Sequence, residues 1–94
     1  MKNGIHHYNI KVTGKVQGVF YRASTKEKAE ELGIRGFVRN EPDGSVYIEA
    51  EGSENDLHKF LEWCEQGPPN AMVDEVHGAE GKVVKFGNFQ IVRS

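Results

Sequence analysis

The residues best suited to chemistry lie in one short segment that contains two glycines, an amide and a terminal arginine. It reads GKVQGVFYR and spans residues 14–22. A helix that begins at or just after Arg22 leaves its first backbone N–H groups without intrahelical acceptors, and the helix dipole makes that end positive. Gly18 allows close approaches that a side chain would block, and a guanidinium matches two phosphate oxygens at once. The segment therefore fits a small tetrahedral anion such as phosphate.

The same spacing is also typical of a glycine-rich turn followed by a solvated arginine, and the pattern alone leaves both interpretations open. No Gly-Lys-Ser/Thr sequence follows Gly18, so the segment is not a Walker loop. It also lacks the G-x-G-x-x-G spacing of a dinucleotide-binding turn.

Other reactive residue types give weaker signals. Cys64 lies on the apolar stripe of a predicted helix, which indicates a core position rather than a nucleophile. His6 and His7 are adjacent, so they point to opposite faces of a strand, and His58 and His77 lack the spacing of a zinc site. We therefore expect no metal and no cofactor.

Composition narrows the class of protein. The 94 residues predict a single domain, 1–94, and the net charge of −2 argues against a general nucleic-acid binder. No apolar run approaches the roughly 18 residues of a membrane span, and no apolar stretch typical of a secretory signal follows the N-terminal lysine. A single cysteine fits a reducing compartment. We expect a cytoplasmic monomer that contacts neither membrane nor nucleic acid.

The elements of the first half follow from periodicity and turn residues. Alternation over residues 6–13 predicts a strand, and residues 22–32 predict a helix that Gly33 ends. Residues 34–40 predict a second strand. The sequence EPDGS at 41–45 then predicts a tight turn, because proline presets φ and Asp-Gly favours left-handed conformations.

The elements of the second half follow from the same kinds of signal. Residues 46–51 alternate, with Tyr47, Glu49 and Glu51 expected on a polar face. Ser53 is a good N-cap for a second helix with apolar residues at helical spacing, closed by Gly67 and a Pro-Pro pair. Two strand-like runs follow, at 71–80 and at about 85–93.

The predicted order is β-α-β-β-α-β with one further strand. Each helix has one apolar stripe, so the simplest packing is an α+β sandwich with both helices on one face of an antiparallel sheet. The right-handed crossover rule places the first and third strands in the centre. This is the ferredoxin-like fold, with a short C-terminal edge strand. The fold hosts many functions and does not identify one.

Two motifs resemble the signatures of the acylphosphatases. The segment GKVQGVFYR resembles Gly-x-Val-Gln-Gly-Val-x-x-Arg, and GFVRNEPDGSV at 36–46 resembles Gly-x-Val-x-Asn followed by a Pro-Asp-Gly-Ser turn. The downstream GPPNAMV and the closing FQI are also similar to family features, so the resemblance spans nearly the whole chain.

The resemblance implies a hydrolase that cleaves a small-molecule acyl phosphate to a carboxylate and phosphate. It implies that Arg22 binds the phosphate and that Asn40 positions the attacking water. It also implies a backbone N–H cradle. The substrate-binding residues are then Gln17, Gly18, Val19, Phe20, Tyr21 and Arg22. A carboxylate leaving group, whose conjugate acid has a pKa of roughly 4 to 5, departs unprotonated at neutral pH, so the reaction needs no general acid.

Two other classes of function remain as alternatives. One is a phosphate- or carbamoyl-phosphate-binding module in which hydrolysis is incidental. The other is an RNA-binding sheet with the same element order, which requires exposed aromatic residues on the central strands. The third strand offers Tyr47, and Glu49 and Glu51 follow it at alternate positions, where their carboxylates repel a phosphate backbone; this argues against RNA.

Overall fold

The computed structural model describes residues 4–93 and confirms the predicted order of helices and strands. The elements are β1 (His6–Lys15), α1 (Tyr21–Leu32), β2 (Arg35–Asn40), β3 (Val46–Gly52), α2 (Glu54–Gln66), β4 (Met72–Gly81) and β5 (Phe89–Ile91). Within the described residues, no helix is long and apolar enough to cross a membrane.

All five strands form one sheet in the order β4-β1-β3-β2-β5. β1 and β3 pair antiparallel in its centre, with Ile10 opposite Ile48, as the crossover rule predicts. β2 pairs antiparallel with β3. The short β5 runs parallel to β2, with Phe89 opposite Gly36, and the sequence did not predict this direction. The sheet places the ends of β1 and β2 at the same edge.

The core lies between the sheet and the two helices. Its fully buried members include Ile10, Ile48, Leu57, Phe60 and Cys64. Burial of each large apolar side chain contributes about 1.5–3 kcal/mol to stability.

Tyr21 fixes the start of α1 within this core. Its ring is 1% exposed, and its hydroxyl donates a 2.8 Å hydrogen bond to the carbonyl oxygen of Cys64 in α2. Thr25, also buried, donates to the carbonyl oxygen of Tyr21 across 2.7 Å. The first turn of α1 is therefore anchored to the second helix.

The local signals at the helix ends act as expected. The Ser53 hydroxyl accepts a 3.1 Å hydrogen bond from the N–H of Asp56 and caps α2. Gly33 takes φ 73° after α1, and the N–H of Ile34 donates to the carbonyl oxygen of Ala29. This closes the helix as the glycine predicted.

The expectation that Glu51 lies on a polar, solvated face is wrong. Its side chain is 1% exposed, because the segment 82–88 between β4 and β5 folds over it. The carboxylate accepts hydrogen bonds from the backbone N–H groups of Val84, Lys85 (2.9 Å) and Phe86 (3.0 Å). These bonds occupy the backbone that was expected to extend β5, which explains why β5 begins only at Phe89.

His7 completes this carboxylate site. Its Nδ1 lies 2.7 Å from Oε2 of Glu51, and its Nε2 lies 2.9 Å from Oδ1 of Asn9 and 3.2 Å from Oε1 of Glu49. Both ring nitrogens face acceptor oxygens, an arrangement that favours the imidazolium form, in which both nitrogens donate. Burial alone would lower the pKa of His7, but the hydrogen bonds and carboxylates outweigh it and raise that pKa. Burial alone would raise the pKa of Glu51, but its four hydrogen-bond donors outweigh this effect and lower that pKa.

Replacing Glu51 should destabilise the fold. Glu51→Gln keeps the shape but turns an amide N–H₂ toward groups that themselves donate, so buried donors lose their acceptor. We expect the free energy of unfolding, measured in urea, to fall by about 2–4 kcal/mol. Glu31→Gln, which removes an exposed carboxylate paired with Lys28, is the control and should change it by less than about 0.5 kcal/mol. Equal stability of the two variants would contradict this account.

The His7–Glu51 pair also predicts how stability changes with pH. The folded pKa of His7 is raised above the ordinary 6.5, so its contribution is complete below that value and is lost as the pH rises through the folded pKa. The folded pKa of Glu51 is lowered, so its contribution is lost as the pH falls through it. Urea denaturation should therefore give lower stability at pH 8.5 than at pH 6. The difference should shrink in His7→Gln and persist in the exposed-site control His58→Gln.

Candidate active site

A pocket of about 310 Å³ opens where the connection between β1 and α1 faces the ends of β2 and β5. It is lined by Val16, Gly18, Phe20, Tyr21, Arg22, Ala23, Asn40, Ile91 and Arg93. The two residues expected to carry the chemistry, Arg22 and Asn40, thus line one cavity although 18 positions separate them in the chain.

The β1–α1 connection turns through two left-handed conformations. Gly18 has φ 74°, and Phe20 has φ 64° and ψ 21°. Among the hydrogen bonds between described residues, none has the N–H of residues 18–22 as its donor. Consecutive free N–H groups at the start of a 12-residue helix form a concave, positive site for an anion.

Two guanidinium groups add charge to this pocket. Arg22 is half-buried, Arg93 is exposed, and both line the cavity. Neither belongs to any ion pair formed within residues 4–93. Within residues 4–93, no carboxylate lines the cavity to neutralise them, so the lining that is described favours a multiply charged anion.

Asn40 contributes an acceptor of hydrogen bonds. It ends β2, where it pairs with Val46 of β3. Its Oδ1 is buried and has no hydrogen-bond partner among the described residues. Leaving such an oxygen unpaired costs about 1–3 kcal/mol. The Asn40 residue lines the same cavity as Arg22, so this unpaired oxygen is suited to accept a hydrogen bond from a bound water or a ligand donor.

Gln17 connects the loop to the turn that follows Asn40. Its Nε2 donates 2.8 Å hydrogen bonds to the carbonyl oxygens of both Glu41 and Ser45. Asp43 in turn holds the turn by accepting from the N–H and hydroxyl of Ser45 at 2.9 and 2.6 Å. These bonds set the loop against the end of β2.

The structure brings together most of the expected site residues. Gly18, Phe20, Tyr21, Arg22 and Asn40 line the pocket. The other two, Gln17 and Val19, do not line it: the Gln17 amide bonds to the turn, and Val19 is buried in the core.

The sequence did not predict that Arg93 and Ile91 line the pocket. Both follow from the pairing of β5 beside β2, and no local signal in the sequence specifies that pairing.

Cys64 has no part in this pocket. It is fully buried in the core, and burial raises the pKa of its thiol to about 12. In addition, no group of three or more His, Cys, Asp or Glu side chains within residues 4–93 is arranged to hold a metal ion.

Comparisons with known proteins agree on one family. The acylphosphatase family model matches residues 8–91. An acylphosphatase of Marinobacter nauticus is 55% identical over 81% of this chain and 83% of its own length. The structure of an acylphosphatase from Coxiella burnetii is 38% identical, with a TM-score of 0.91 over 94% of this chain and 93% of that one.

A larger protein also contains a similar part. Full-length HypF, in its phosphate- and nucleotide-bound form, is 29% identical with a TM-score of 0.85. That match covers 98% of this chain but 12% of HypF.

Removing the Gln17 amide should loosen the pocket. In Gln17→Ala the two carbonyl oxygens keep only their backbone donors, so we expect the free energy of unfolding to fall by about 1 kcal/mol. Binding of inorganic phosphate, measured by titration calorimetry, should weaken several-fold because the loop loses its tether. The control is Gln90→Ala, which alters an exposed side chain of β5. A Gln17→Ala protein with unchanged phosphate affinity would show that the tether does not shape the site.

Proposed function

The chain belongs to the acylphosphatase family, and we propose that its β1–α1 pocket hydrolyses acyl phosphates by direct attack of a water molecule. The proposal rests on one observation, that hydrogen-bond donors and a hydrogen-bond acceptor lie in the same cavity. The loop and Arg22 offer donors for an anion, while Asn40 offers a buried acceptor without a partner.

The first step is binding of the phosphoryl group. Its oxygens accept hydrogen bonds from the free N–H groups of residues 18–22 and a forked pair from Arg22. These donors are held in place before substrate arrives, because the Tyr21 hydroxyl anchors the start of α1 and Gln17 anchors the loop. Such fixed donors stabilise the charge that the equatorial oxygens carry in the transition state.

The second step is placement of the water. The Oδ1 of Asn40 accepts a hydrogen bond from the water and holds it for in-line attack on phosphorus. The water oxygen forms the new P–O bond while the bond from phosphorus to the acyl oxygen breaks. The electron pair leaves with the carboxylate, and the water's proton passes to a phosphoryl oxygen of the substrate.

The leaving group explains why these few residues suffice. A carboxylate is a weak base, so it departs without a protonating side chain. Holding the phosphoryl group, spreading its charge and aiming one water are then the remaining tasks, and the reaction as proposed assigns no step to a metal ion.

We further propose that the protein works as one domain, 1–94, and as a cytoplasmic monomer on small-molecule acyl phosphates, without a cofactor. One sheet and one core account for all the elements between residues 4 and 93. The single cysteine is free and buried, which suits a reducing compartment. Sedimentation equilibrium, which measures the molar mass in solution, tests whether the protein is a monomer.

The similarity to part of HypF supports a second candidate, a phosphate- or carbamoyl-phosphate-binding module with incidental hydrolysis. Such a module would be stabilised against heat by inorganic phosphate yet turn over acetyl phosphate no faster than its Arg22→Ala variant. Turnover that depends on Asn40 would exclude it.

Arg22 and Asn40 should separate binding from chemistry. With acetyl phosphate in EDTA, we expect Arg22→Ala to lose about 100-fold or more in kcat/KM and most of its affinity for inorganic phosphate. Asn40→Ala should lose about 100-fold in kcat and keep its phosphate affinity within about twofold, because its carbonyl oxygen contacts only the water.

Matched variants control for nonspecific effects. Arg35→Ala, in the exposed part of β2, and Asn55→Ala, on the exposed face of α2, should retain wild-type kinetics. Wild-type activity that disappears with EDTA, or an Asn40→Ala enzyme of normal rate, would overturn the mechanism.

A further inference from the structure

Phe20 combines two features that the fold does not require. Its side chain is 78% exposed, the highest value among the large apolar residues exposed within residues 4–93, and it lines the active-site pocket. Single exposed apolar residues are common on protein surfaces, so exposure alone does not indicate a function. The position beside the pocket, together with the backbone, is what sets Phe20 apart.

The backbone of Phe20 is left-handed, which is uncommon for a bulky residue. Among the described residues, Lys85 is the only other non-glycine with positive φ, and its N–H donates to the buried carboxylate of Glu51. The turn at Phe20 likewise serves the N–H cradle. Glycine would supply the same turn with less strain, as it does at Gly18.

Neither the cradle nor the core therefore accounts for the phenyl ring. The ring makes up little of the core, since most of it is in solvent. It also raises the energetic cost of the turn that carries it. A role outside folding and phosphate binding is left, and because Phe20 lines the cavity, contact with a molecule that enters the cavity is the role that its position favours.

We propose that Phe20 is a specificity-determining residue that contacts the acyl group and favours acyl phosphates with flat, apolar acyl groups, aromatic ones above all. The inference rests on the proposed function. When the phosphoryl oxygens bind the N–H groups at the start of α1, the acyl group must extend away from the cradle toward the opening. Phe20 is the large, solvent-exposed apolar side chain that lines this cavity.

Stacking on Phe20 would remove apolar surface of both ring and substrate from water. An aromatic pair contributes about 0.5–1.5 kcal/mol beyond the area it buries, which corresponds to about two- to tenfold in affinity. An acetyl group is too small to gain this contact. The ring should thus raise selectivity without taking part in the chemical step.

The test compares kcat/KM for benzoyl phosphate and acetyl phosphate in EDTA. The variants are Phe20→Gly, which removes the ring and suits the left-handed backbone, and Phe20→Tyr, which keeps an aromatic ring. Met72→Ala is the control, because Met72 is 69% exposed but does not line the pocket. Any effect of these changes on the cradle acts on both substrates and cancels in the ratio.

We expect the benzoyl-to-acetyl ratio to fall about fivefold in Phe20→Gly and mainly through KM. It should stay within about twofold of wild type in Phe20→Tyr and Met72→Ala. Calorimetry with the non-hydrolysable phenacylphosphonate and acetonylphosphonate should show the same loss in binding.

Two results would overturn the inference. A ratio within about twofold of wild type in Phe20→Gly, with both substrates hydrolysed, would overturn it alone and leave the ring as a contact for a partner molecule. A wild-type protein that hydrolyses neither substrate would overturn the proposed function, and this inference with it.

Discussion

The two hydrogen bonds from the Gln17 amide hold together the two halves of the pocket. Its Nε2 reaches carbonyl oxygens 24 and 28 positions further along the chain, both at 2.8 Å. One half is the N–H loop before α1, and the other is the end of β2 with Asn40. Donors alone would bind an anion, and an acceptor alone would hold a water. The proposed hydrolysis needs both within one cavity, so in this mechanism the activity depends on how the loop is tethered to the turn.

The two ends of the sheet differ in how well their polar groups are paired. At one end, the buried Glu51 has four donors, including three consecutive backbone N–H groups. At the other, the N–H groups of residues 18–22, the Oδ1 of Asn40 and two guanidiniums lack protein partners within the described residues. Unpaired groups cost stability but bind a ligand without first breaking other bonds.

The sequence predicted the elements well because local chemistry determines them. Alternation, the Ser53 cap and the glycines after the helices act over a few residues, and the structure uses each of them. What depends on pairing between distant segments was not predictable. β1 continues to Lys15 through an irregularity at Thr13–Gly14, β5 is short and parallel, and Arg93 joins the pocket through that pairing. Glu51 was misread because its burial comes from a loop 33 positions away.

The proposed phosphate site, made of backbone N–H groups, has a consequence for selectivity. Such a site would contact only the phosphoryl group, which every acyl phosphate shares, and it would tolerate changes of side chain as long as the left-handed turns persist. Discrimination between acyl groups would then depend on exposed residues that line the cavity, among them Phe20, Ala23 and Arg93. These residues stand on a backbone that the cradle already fixes. Under this proposal, substitution at these exposed residues would change the preferred acyl group, while the proposed sites of the water and the phosphate and the tether at Gln17 would stay in place.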